Sequence, residues 1–429
     1  MKFKHWYNQR GPIFLSQRAG HLLARYGISP DQAIERTDSC LEGLLIQDCK
    51  PTFFTPGIVL ERYPEFIRHL QARGAEIAVH GYQHADLRAY PLPKAVEQLI
   101  KAVDVFKTAG IKTQGFRCPY LGYSDELINS LPDGLFDYSS NHAIYWNETS
   151  KNDGNHSGTV FETLRKIYHA ESSNIRISVP WKRTKSIEIP VCMPDDMELI
   201  DGLNASAEEV SQVWVHILKI THRRGELFNL IFHPELAEFC EQPFHEILSL
   251  SKTLQPNVWI TRLGDLGSWW NEKSNFKFNS IFYDSSLVLD FSCSPRATIL
   301  AKGLSLNNSV AGTWDGAYQI LKSRHLTLPA TPLPFIGVSP DVPDETTSFL
   351  EEQGYLLDRS DTAPDCSIFL EASIIDSIRD RVGLIEYIES NPGPLVRYWR
   401  WPFGAKSALS ITGDLDALSL MDYISRIFT

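Results

Sequence analysis

Apolar positions alternate between two periods along the first two thirds of the chain. From Ser29-Pro30-Asp31 to Leu45 they recur at helical spacing, which predicts a helix capped by Ser29 with Pro30 in its first turn. Pro51–Phe54 is a short β-prone run that stops at Pro56-Gly57. A second helix is expected from about Tyr63 to Ala72, before Gly74, and Glu76–Val79 reads as a buried strand. A third helix covers about Leu92 to Thr108, ends at Gly110, and gives way to a strand beginning Gln114-Gly115-Phe116-Arg117. Polar residues dominate from 140 to 185, where loops are expected. The alternation returns with strand Ile187–Val191, a helix from about Ala207 to His222, strand Leu227–Phe232 and a last strand Trp259–Leu263. Strands alternating with helices in this way predict a parallel sheet or barrel.

The texture changes after Asn271. Phe276–Leu300 reads as paired short strands, including Leu287–Phe291. Phe335–Val338, a helix to Gly354, Tyr355–Leu357, Ser367–Leu370, another helix and Leu395–Tyr398 suggest a small open α/β unit. The final segment is one strand, Ala408–Thr412, followed by a helical stretch from Ser419.

Composition narrows the partners. With 429 residues, 43% hydrophobic and 11% aromatic, the chain can bury a large core and is too long for one ordinary domain. A formal charge of −11 argues against nucleic acid or an anionic membrane as the main partner. Neutral small molecules and sugars fit better. The seven cysteines are scattered and odd in number, which suits reduced thiols in a cytoplasmic protein. Met1–His21 has charges without an apolar stretch behind them, so no secretory signal is expected. No run of about 18 apolar residues suggests a membrane span.

Three polar clusters stand at the ends of expected strands. Glu76–Val79 runs into His80-Gly81-Tyr82-Gln83-His84, and one helical turn in that loop would let both histidines share a metal. Arg117-Cys118-Pro119-Tyr120 follows Gly115-Phe116, and His233-Pro234-Glu235 follows Leu227–Phe232. The carboxyl ends of parallel strands are where such folds bind ligands. His142 and His222 fit no cluster and read as structural or exposed; Trp181, Trp269 and Trp270 read as core or lid.

Together TFF at 52–54, HGYQH at 80–84, RCPY at 117–120 and the strand ending in His233 resemble the polysaccharide deacetylase (NodB-homology) family. The resemblance covers roughly residues 20–275. It implies a distorted (β/α) barrel, a divalent metal that is usually zinc, and hydrolysis of an N-acyl group, acetyl above all, from an amino sugar or polysaccharide. The family's first motif, a strand carrying two aspartates, is missing from residues 1–50: Asp31 falls at a helix start, Asp38 within a helix and Asp48 in a turn. Ala408–Thr412 followed by Gly413-Asp414-Leu415-Asp416 is similar to that motif in its Asp-x-Asp form. A circular permutation follows, with the C-terminal strand expected beside Thr52.

The resemblance assigns roles by motif. Asp416, His80 and His84 would hold the metal, Asp414 would be the general base and His233 the acid. Arg117 would fix the base, the backbone N–H of Tyr120 would serve the oxyanion, and Asp195-Asp196 would orient the arginine or a substrate hydroxyl. The expected organisation is a barrel over 1–275, a β-rich segment over 276–330, an open α/β unit over 331–402, and a strand and helix over 403–429 that complete the barrel. Homo-oligomerisation stays open. Other readings also stand: an inactive barrel that binds carbohydrate or acts as a scaffold, a formyl or other amide hydrolase, and a nucleotide-sugar site built on the C-terminal Asp-x-Asp.

Overall fold

The computed structural model describes residues 25–146, 166–283, 285–329 and 331–425. Its largest sheet is built from parallel pairings. Thr52–Thr55 pairs with Glu76–Val79, which pairs with Gly115–Phe116, which pairs with Tyr138–Ser139. That strand lies beside Ile187–Glu188, and one step farther along Ala143–Tyr145 lies beside Val191–Met193. Cys192 then meets Leu230 of strand Leu227–Phe232. Ser407–Asp414 joins the two runs: it pairs with Leu227–Phe232 on one side and, through Thr412, Gly413 and Asp414, with Thr52, Phe53 and Phe54 on the other. These pairings curl the sheet into a distorted barrel wrapped by helices, the (β/α) arrangement expected from the alternating pattern.

The helices follow their apolar stripes. Leu92–Thr108 buries Ala95, Leu99, Ala102 and Phe106, successive positions three or four apart. Ala207–Arg224 starts at a capping box between Ser206 and Glu209 and stops at Gly225, whose φ of 67° suits a residue without Cβ.

Several elements differ from the expectation. Ser29 does not cap the first helix, Asp31–Ile46, because its hydroxyl donates to the Asp31 carboxylate instead. The strand expected over Ile187–Val191 is broken into Ile187–Glu188 and Val191–Met193 on either side of Ile189-Pro190. Ala143–Tyr145, in a stretch expected to be loop, is a strand, and Ala237–Thr253 is a helix despite Pro243 within it. The last barrel strand is only Val258–Ile260, and Leu263 opens the helix Leu263–Lys273 that buries Trp269 and Trp270. Residues 1–24 and 147–165 lie outside the described residues, so the expectations that fall there stand as sequence readings.

Between the barrel's last helix and its central strand lie three smaller sheets. Lys277–Tyr283, Ser286–Ser292 and His325–Pro329 form an antiparallel sheet. Leu333–Val338 sits between Leu357–Asp358 and Cys366–Leu370 in a parallel one. Leu395–Tyr398, expected in that parallel unit, instead pairs antiparallel with Ile299–Lys302, its alternating side chains divided between two cores. Leu300, Ile336 and Leu350 share a core with the base of the barrel, packing with Trp269, Trp270, Trp401 and Ala408, whereas Leu287, Leu289, Phe291, Leu326 and Leu328 of the antiparallel sheet pack in a separate cluster with Val396 and Tyr398. Among the described residues no helix is long and apolar enough to cross a membrane.

Candidate active site

Every motif residue singled out in the sequence lies where a barrel strand or its ladder ends. His80 follows Glu76–Val79 and its N–H bonds the Thr55 carbonyl at 3.0 Å; Arg117 follows Gly115–Phe116 and its N–H bonds the Val79 carbonyl at 2.9 Å. Asp414 ends its strand, and the Leu415 N–H bonds the Phe54 carbonyl at 2.8 Å. The ladder therefore fixes all three backbones before any side chain acts.

The loop after His80 makes no helical turn. Gly81 has a φ of 72°, and the carbonyls of Gly81 and Tyr82 accept from Gly57 and Ile58 N–H groups at the start of helix Gly57–Arg62. The two histidines converge all the same: ligand atoms of His80, His84 and Asp416 all lie within 4.8 Å of one another. His84 Nε2 is 3.0 Å from Asp416 Oδ2, and His80 Nε2 is 3.4 Å from Asp416 Oδ1 and 3.7 Å from Asp414 Oδ2. His80 Nδ1 lies 2.9 Å from the Arg117 carbonyl, which can only accept, so this contact places the ring proton on Nδ1. In the neutral ring the Nε2 lone pair then faces carboxylate oxygens. A lone pair and carboxylates turned inward, buried and backed by a carbonyl, make a donor set suited to a divalent cation of the zinc class.

Asp414 is oriented by Arg117. The guanidinium is wholly buried and donates from one terminal nitrogen to Asp414 Oδ1 at 2.7 Å. Its other nitrogens donate to the Ser140 carbonyl, Ser140 Oγ and Thr412 Oγ1, each at 3.1 Å, and Phe54 lies under it at 4.0 Å. With its hydrogen bonds satisfied, the cation is rigid, and Asp414 Oδ2 is left turned toward His80.

His233 is held by Asp196 rather than by anything on its own strand. Asp196 Oδ1 is 2.7 Å from His233 Nδ1, and Asp196 Oδ2 accepts from the His233 backbone N–H at 2.6 Å. Burial opposes the charged ring, yet Asp196 beside it, with Glu235 and Asp416 beyond, holds its pKa well above the ordinary imidazole value. Asp196 thus orients His233 and not the arginine, which bonds Asp414, Ser140 and Thr412 instead. Tyr120 sits at a φ of 58°, half exposed, with its ring edge-on to His84 at 4.6 Å. Cys118 N–H donates to Asn141 Oδ1 at 2.6 Å, which fixes the turn that presents Tyr120.

Sequence reading missed Thr412 and Ser140, the partners of Arg117. Thr412 was recoverable, since it lies two residues before Asp414 and a strand turns alternate side chains to one face. Ser140 lies in the stretch taken as loop and carries no local signal. His142 and His222 are structural: the first bridges Tyr123 and Glu171, the second bonds Ser407.

A family model described as polysaccharide deacetylase matches residues 30–133. The chain is 22% identical over 200 residues to a peptidoglycan deacetylase of Helicobacter pylori, a match covering 43% of this chain and 66% of that protein, just under two thirds of its length. A solved structure of peptidoglycan deacetylase PdaC from Bacillus subtilis is 26% identical with a TM-score of 0.22, over 23% of this chain and 48% of that one. BA3943 from Bacillus anthracis, a pseudoenzyme of the CE4 family, is 15% identical with a TM-score of 0.30, over 55% of this chain and 61% of that one. The motif histidines, arginine and aspartates are thus gathered at one end of the curled sheet in a chain that is similar to polysaccharide deacetylases over the matched residues.

Proposed function

We propose that the chain is a metal-dependent hydrolase that removes an acyl group, acetyl above all, from an N-acylated amino sugar or polysaccharide. The supporting observation is the convergence of three differently held groups: His80, His84 and Asp416 as ligands, Asp414 clamped by Arg117, and His233 paired with Asp196. The Asp-x-Asp of the family's first motif then stands in permuted order, carried by Ser407–Asp414 between Thr52–Thr55 and Leu227–Phe232.

His80, His84 and Asp416 would hold the ion, zinc above all. When bound, such an ion polarises an amide carbonyl and makes a bound water acidic near neutral pH. Asp414 accepts the proton from the attacking water at Oδ2, since Arg117 occupies Oδ1. His233 donates a proton to the leaving nitrogen, and Asp196 keeps the ring protonated and oriented for that transfer. The Tyr120 backbone N–H contributes to the oxyanion pocket.

Elemental analysis of purified protein, beside a His80→Ala/His84→Ala variant, tests the ligand set; equal metal in both would remove it. Asp414→Asn is expected to keep the metal and lose at least about 100-fold in deacetylation of an N-acetylglucosamine oligomer, the scale of a positioned acid or base. Full activity in Asp414→Asn would place the base elsewhere.

A further inference from the structure

We infer that Asp195 and Glu198 form a second cation site, for a hard divalent ion of the calcium or magnesium kind, beside the His233–Asp196 pair. The strand Val191–Met193 ends in a turn that presents three acidic side chains, Asp195, Asp196 and Glu198, all buried to 4% exposure or less. Asp196 is fully committed: Oδ1 accepts from Met197 N–H and faces His233 Nδ1, and Oδ2 accepts from His233 N–H. Asp195 Oδ1 accepts from Glu198 N–H at 2.8 Å. Glu198 is the anomaly, because among the described residues neither of its carboxyl oxygens has a hydrogen-bond partner, and both are shut off from solvent.

Buried polar atoms are normally paired, so two orphan oxygens on one carboxyl group call for a ligand. A proton on Glu198 would remove the charge but leave the carboxyl as isolated as before. A sugar hydroxyl would pair with it, yet these oxygens are closed to anything the size of a pyranose ring. A small ion answers both the charge and the missing partners. Ligand atoms of Asp195, Asp196 and His233 lie within 4.8 Å of one another, a group separate from His80, His84 and Asp416, and Glu198 is tied to its edge by the bond from its N–H to Asp195 Oδ1. Because His233 Nδ1 is taken up by Asp196, the atoms left for an ion are carboxylate oxygens, and oxygen-only sites suit calcium or magnesium over zinc. The electrostatics agree. Burial and the neighbouring Asp195 push Glu198 up to about 9, and burial and Asp196 push Asp195 up to about 7. That mutual repulsion is what a divalent ion would relieve.

This inference does not depend on the deacetylase reading. The test is calorimetric titration of the zinc-loaded full chain with calcium and, separately, magnesium, with zinc content and deacetylation measured on the same samples. The wild-type protein should take up one further hard ion. Glu198→Gln, nearly isosteric, should bind it at least about tenfold more weakly, the loss seen when even an outer support of a metal ligand is removed, with zinc content unchanged. Asp195→Asn provides a second variant should Glu198→Gln fail to fold, and the same loss is expected. A wild-type chain that takes up neither ion, or folded variants that bind as tightly as wild type, would overturn the site. Loss of zinc or of deacetylation without loss of hard-ion binding would count against the first site alone.

Discussion

Asp196 governs two properties of one side chain, because it fixes where His233 sits and how readily it holds a proton. A free imidazole titrates near ~6.5, and the Asp196 carboxylate holds His233 well above that value against the cost of burial. The Asp416 contribution to this shift would be offset by an ion bound there, whereas the Asp196 contribution remains. His233 should thus stay protonated through neutral pH and lose its proton on the alkaline side, giving kcat/KM an alkaline limb. Asp196→Asn should move that limb to lower pH by about 1 unit or more, the shift that an adjacent opposite charge supports. The stability linkage has the same sign. A folded pKa above the unfolded one contributes stability that is complete below the unfolded value and is lost as pH rises through the folded value. An alkaline limb unchanged in Asp196→Asn would remove His233 as the acid that this carboxylate tunes.

At the scale of elements, the base of the barrel is set by Glu76 as firmly as its mouth is set by Arg117. Glu76 accepts from Tyr138 OH at 2.8 Å, Thr52 Oγ1 at 2.9 Å and Gly264 N–H at 2.8 Å, joining three strands and a helix in one buried network. Tyr138 is held across Gly115, where an added Cβ would lie 2.1 Å from its ring. The ring cannot swing aside without breaking its bond to Glu76. Gly115→Ala should therefore destabilise the fold by about 1–3 kcal/mol, the usual cost of overpacking, and lower the denaturant midpoint. A midpoint equal to wild type would show that the ring has room to move. How much the sequence revealed follows from how local each signal was. Leu227–Phe232 and Glu76–Val79 are dominated by apolar residues (all but Asn229 and Glu76) and buried along their whole length, and were legible for that reason. Ala143–Tyr145 is too short and too enclosed by polar neighbours to show a period, and Pro243 disguised the helix around it. The His80, His84 and Asp414-x-Asp416 motifs could be read because spacing carries them. The His233–Asp196 bond joins residues 37 apart and is a fact of topology, which spacing does not encode.

For the whole molecule, Ser407–Asp414 is the strand on which most depends. It pairs with Leu227–Phe232, Thr52–Thr55 and Val258–Ile260, and it delivers Asp414 to Arg117. Without it the sheet would open two edges through the middle of its core, exposing rows of unpaired backbone groups. Removing residues 405–429 should therefore abolish cooperative unfolding and metal binding together. The loss alone would not show that the two ends of the barrel can be joined, but the contacts between them do favour a join. The Leu420 N–H bonds the Gly27 carbonyl at 3.0 Å, Tyr26 stacks on Tyr423 at 5.0 Å, and Tyr63 OH donates to Asp422 at 3.0 Å. With residues 25–27 and 419–423 in contact, a short glycine-serine linker can run from Ser425 to Arg25, and the chain can be opened between Gly404 and Ala405 instead. In that reordered chain the Asp-x-Asp strand precedes Thr52, the order usual for the family. It should fold, bind the same amount of metal per chain as wild type and unfold cooperatively, since every barrel pairing among the described residues is retained. A melting temperature close to wild type, with equal metal content, is the expected result. A reordered chain that stays unfolded or metal-free would show that the direct link from Gly404 into Ser407–Asp414 is needed to seat the strand, and that the permutation is not a neutral change of connection.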